Sequence, residues 1–105
     1  MSKRISGVYY DPQHGKCVRT IQMHEGQLCI YGVYGVGEGK SIGEEWTANV
    51  FVDAETQKLL TVYFQKDVAQ ERRVMHALWC PEAREIHWED GSVWYKLYSV
   101  FDISA

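Results

Sequence analysis

A chain of 105 residues has room for one hydrophobic core and leaves no length for a linker and a second one. Its 46% apolar content is too high for a disordered segment, and a net charge of −3 with both signs interspersed excludes the basic face of a general nucleic-acid binder. Four tryptophans and seven tyrosines in so short a chain favour sheet over helix.

Gly7-Val8-Tyr9-Tyr10-Asp11 reads as a first strand, stopped by Pro12 and turned through Gln13-His14-Gly15. Residues 16–24 form a second strand whose alternation puts Cys17, Arg19, Ile21 and Met23 on one face. Val18, Thr20, Gln22 and His24 take the other. The first face is the more apolar, so Arg19 points inward. Glu25-Gly26 turns the chain into a third strand over 27–35, followed by a glycine-rich loop from Gly35 to Gly43. A fourth strand over 44–52 alternates cleanly, with Trp46, Ala48, Val50 and Val52 on one side. After a turn at 53–57, residues 59–66 carry large side chains on both faces, as in a strand covered on both sides or placed at an interface.

Two readings fit the segment from Asp67 to Cys80. The preferred one is a sixth strand over 73–80. The alternative is a short helix over 68–79, with Asp67 and Gln70 as its cap and Val68, Met75 and Trp79 on one face. Pro81 ends either version. Asp90-Gly91 between two aromatic runs is a strong hairpin signal. A two-residue loop puts Ile86, Trp88, Val93, Tyr95 and Leu97 on one apolar face, with His87 and Trp94 outside and Glu85 opposite Lys96. A three-residue loop with a glycine bulge buries Trp94 and Lys96 instead. The first register is preferred because the second turns a lysine inward.

No motif assigns a reaction. Gly39-Lys40-Ser41 lacks the first glycine of a phosphate-binding loop, because Tyr34 stands at that position, and a strand-like run rather than a helix follows. The cluster His76, Cys80 and His87 matches no structural zinc spacing, and no other cofactor is expected. Cys17 with His14, or Cys80 with His76, has the residue types of a thiol nucleophile and base, but buried inert thiols account better for both. Arg19 is the most suggestive residue. In a cavity lined by aromatics it would anchor a carboxylate, whereas paired with Asp11 or Glu44 it would be structural.

The expected fold is a single all-β domain over 1–105, an up-and-down barrel or curved meander of seven or eight short antiparallel strands. In architecture this pattern resembles the small barrels of the calycin and avidin type, with Gly7-Val8-Tyr9 where lipocalins carry Gly-x-Trp. The leading functional expectation is non-enzymatic binding of a small apolar or anionic ligand near a barrel mouth, through Arg19, Trp46, Tyr63 and His76. The alternative is a homodimerising or protein-interaction module using an outer aromatic face with His87 and Trp94. A small isomerase or hydrolase ranks third. With three cysteines, no apolar run after Lys3-Arg4 and no stretch of transmembrane length, a cytoplasmic protein without membrane or nucleic-acid partners is expected.

Overall fold

The computed structural model describes residues 2–13, 17–33, 45–64 and 74–99. After a helical turn, α1 (Ser2–Ile5), eight strands follow: β1 (Gly7–Asp11), β2 (Cys17–His24), β3 (Gln27–Val33), β4 (Glu45–Val52), β5 (Leu59–Phe64), β6 (Val74–Cys80), β7 (Glu85–Trp88) and β8 (Val93–Tyr98). Each pairs antiparallel with the next, and β1 pairs with β8 to close the barrel. The domain is therefore an all-antiparallel closed meander. The glycine-rich loop, His14 and residues 67–73 lie outside the described residues.

Local chemistry explains the short connections. Between β2 and β3, Glu25 and Gly26 both have positive φ, at 50° and 81°, in a two-residue turn whose twist suits the flanking strands. Between β4 and β5, the Asp53 carboxylate accepts the Thr56 amide at 2.8 Å, and the Thr56 hydroxyl accepts the amides of Lys58 and Leu59.

Alternation sorts side chains into an inner and an outer set. Tyr9, Arg19, Ile21, Leu28, Ile30, Trp46, Ala48, Val50, Leu60, Val62, Phe64, Ala77, Trp79, Ile86, Trp88 and Trp94 are all buried. Ile5 belongs to the same core, and the Tyr9 hydroxyl donates to the Ile5 carbonyl at 2.6 Å. The strand reading of the sixth element holds over Val74–Cys80, where Ala77 and Trp79 face in while His76 and Leu78 face out. The helical alternative fails there because β6 pairs with β5 on one side and β7 on the other.

The preferred register of the last hairpin is corrected. His87 pairs with Val93, Ile86 with Trp94 and Glu85 with Tyr95. The loop holds three residues, Glu89-Asp90-Gly91, with Gly91 at φ 91°. Trp88 N–H donates to Ser92 O at 2.9 Å, and Asp90 Oδ1 accepts both the Ser92 amide and its hydroxyl. Trp94 is consequently inside, 4.7 Å from Trp88 between ring centroids, and Tyr95 and Leu97 are outside. The inward lysine is tolerated because Lys96 is half-buried at the barrel end. Its ammonium donates to Arg4 O at 2.6 Å and lies 5.7 Å from the Trp79 ring centroid.

Candidate functional site

One end of the barrel is built differently from the rest. There β1 finishes at Asp11, β3 at Val33, β5 at Phe64 and β7 at Trp88, while β2, β4, β6 and β8 begin. The register aligns Arg19 of β2 with Gly32 of β3, and Gly32 with Trp46 of β4. The missing side chain at Gly32 is what admits its two neighbours. A Cβ there would fall inside van der Waals contact of Trp46 Cζ2 and Cε2, and would sit 3.0 Å from Arg19 Cδ. A glycine within a strand often marks such close approach.

Arg19 is 1% exposed, and its guanidinium carbon lies 5.2 Å from the Trp46 ring centroid and 5.9 Å from that of Trp94. Two indole faces thus flank a desolvated cation, a favourable geometry for cation–π attraction. Asp11, also buried, supplies the counter-charge at 3.7 Å. Nη1 donates to Val33 O at 3.3 Å and to Val18 O at 3.5 Å. These distances are long beside the 2.7–2.9 Å or so typical of charge-assisted bonds. Around the ion pair runs a chain of aromatic contacts: Trp46 with Phe64 at 5.7 Å, Phe64 with Trp88 at 6.0 Å, then Trp88 with Trp94. Within it, the buried Trp88 Nε1 has no acceptor among the described residues. An orphan donor of that kind costs about 1–3 kcal/mol.

The residues expected to act together separate into two groups. Arg19 and Trp46 meet inside the barrel. Tyr63 and His76 do not join them: Leu60, Val62 and Phe64 take the inner face of β5, and Ala77 and Trp79 that of β6, which turns Tyr63 and His76 outward. His76 is instead tied to the last hairpin, where Glu89 Oε2 accepts its amide at 2.6 Å and lies 3.5 Å from Nδ1. His87 is exposed as expected, with Glu85 at 2.8 Å, but Trp94 leaves the proposed interface for the core. Gly32 adjoins Arg19, and Phe64 and Trp88 continue the aromatic chain from Trp46 to Trp94; none was singled out as a ligand-facing residue from sequence. Gly32, lone within a strand-like run, was the available signal.

Among the described residues, no group of three His, Cys, Asp or Glu side chains is placed to hold a metal ion. Cys29 is buried and Cys80 partly so, both as thiols. The pairing of Cys17 with His14 lies outside the described side chains. No described helix is long and apolar enough to cross a membrane. Comparison of the chain with protein families, with characterised proteins and with solved structures found no match.

Proposed function

We propose that this barrel binds a small, partly apolar molecule carrying a carboxylate or similar acceptor at its Arg19 end, without catalysing a reaction on it. The observation that carries the reading is the Arg19 guanidinium held between Trp46 and Trp94 with its counter-charge at 3.7 Å. Burying an ion pair is a poor way to stabilise a core, since apolar residues of similar volume serve as well or better. A buried guanidinium between indole faces is instead suited to a planar acid, which the fork can bond twice while the acid stacks on the rings. The orphan Trp88 donor in the same aromatic cluster offers a further bond to such a ligand. The architectural resemblance to calycins and avidins points the same way, because a barrel of about eight strands is wide enough for packed side chains or for one small ligand. A cytoplasmic setting accords with the two described cysteines being thiols.

Thermal shift against a panel of fatty acids, haem and aromatic carboxylic acids, followed by calorimetry on positives, tests the reading. At least one acid raises the melting temperature and quenches tryptophan fluorescence, and Arg19→Met abolishes both effects while the protein stays folded. Silence across the panel, or binding that survives Arg19→Met unchanged, refutes it.

A further inference from the structure

Trp88 is the member of the Arg19 end whose chemistry the ion pair does not explain. It is the last residue of β7, at the end of the barrel where β2 begins, and it is 6% exposed. Its buried Nε1 has no acceptor among the described residues. Phenylalanine would fill apolar space there without leaving a donor unpaired, so the indole carries a penalty that the described residues do not offset. Its neighbours define what could offset it. Around this end, Arg19 of β2, Trp46 of β4, Phe64 of β5, Trp88 of β7 and Trp94 of β8 form a closed circuit. Successive members lie 5.2, 5.7, 6.0 and 4.7 Å apart, and Trp94 returns to the guanidinium at 5.9 Å. Trp94 touches both Arg19 and Trp88, which brings the two within reach of one small aromatic molecule.

We infer that the ligand of this end is a flat aromatic acid with a second, uncharged acceptor, a hydroxyl or carbonyl oxygen, on the ring edge away from its carboxylate. The inference rests on the ligand reading of Arg19 and narrows it. The carboxylate takes the guanidinium, the ring lies among the aromatic side chains, and the far oxygen accepts from Trp88 Nε1. The second group has to be neutral. Arg19 is the charged member of the circuit, and a further carboxylate beside Trp88 would be buried with only an uncharged donor to face it. It also has to be an acceptor. A hydrocarbon tail, as in a fatty acid, leaves the indole N–H unpaired. A site with a buried donor discriminates through what the poorer ligand leaves unsatisfied, so the selectivity falls on this one oxygen.

Calorimetric titration with matched benzoic acids tests the inference. The probes are meta- and para-hydroxybenzoate against meta- and para-methylbenzoate, whose substituents are close in size but differ in having an acceptor. At least one hydroxy acid binds roughly tenfold or more tightly than its methyl counterpart, and in Trp88→Phe that ratio falls below about threefold. A second measurement uses the unsubstituted chain, so it does not depend on the variant folding. The Trp88 indole proton resonance moves to lower field with the hydroxy acid and does not with the methyl acid. Equal affinity for the two kinds of acid, with Arg19→Met still abolishing both, overturns the inference and leaves the Arg19 reading standing. A preference that survives Trp88→Phe unchanged overturns it in the same way, as does a Trp88 resonance indifferent to the hydroxy acid. If none of the four acids binds, or binding ignores Arg19→Met, the inference falls together with the reading beneath it.

Discussion

Gly32 acts through the side chain it lacks. Its backbone is the floor on which Trp46 lies and along which Arg19 runs, so a single methyl group competes with both. Gly32→Ala is expected to destabilise the fold by about 1–3 kcal/mol, the usual cost of overpacking. Thermal unfolding reads this as a drop of roughly 4–8 °C per kcal/mol in a domain of this size. The tryptophan emission of the folded protein shifts as well, because the displaced ring is Trp46. Tyr9 offers a second residue-scale test. Burial pushes its phenol well above the ordinary 10.0, opposed in part by the positive charge of Arg84. The folded state therefore keeps its proton where the unfolded chain begins to lose one. Stability from this source is intact below pH 10 and falls as pH rises beyond it. Tyr9→Phe flattens that alkaline decline. It also lowers stability at neutral pH by about 1 kcal/mol, through loss of the bond to Ile5 O. Urea unfolding midpoints of both proteins between pH 8 and about 11 check the sign. Arg19 was readable at this scale because β2 has one clearly apolar parity. Tyr63 and His76 were not, because β5 and β6 carry large residues on both parities, and alternation fixes which residues share a face without fixing which face is inside.

At the scale of the element, the β7–β8 hairpin shows why strand boundaries were legible and one register was not. Period-two patterning and the Gly, Pro and Asp turns placed the start of each of the first six strands within one residue of its described start. Asp-Gly, however, serves both a two-residue loop and a three-residue loop with a bulge, and these differ by one residue of parity. The choice turned on Lys96, whose burial looked prohibitive until the N-terminal turn supplied Arg4 O at the barrel end. No local pattern announces a contact between residues 92 positions apart. Gly91 holds the observed loop. Its φ of 91° disfavours any L side chain, yet nothing lies within 4 Å of where a Cβ would be. Gly91→Ala is expected to cost about 1–2 kcal/mol from backbone strain alone. Measured by urea unfolding, the slope m stays at its wild-type value while the midpoint falls, because the native contacts are unchanged. Gly32→Ala, by contrast, perturbs the core itself.

For the whole molecule, closure was the inference that sequence supported best. Short turns throughout imply a meander, and a meander of eight strands with so apolar a surface gains by hiding its edges. Seven of the eight strand pairings join sequence neighbours, and the eighth joins the first strand to the last. That seam spans nearly the full chain and is interrupted by a shift of register between Val8 and Tyr9. By loop-closure scaling it costs about 2 kcal/mol more chain entropy than a local hairpin does. The consequence reaches back to synthesis. On the ribosome each hairpin can form as it emerges, but β1 has no outer neighbour until residues 93–98 are made. Until then the nascent sheet displays two open edges, and β8 decides whether it seals on itself or sticks to another chain.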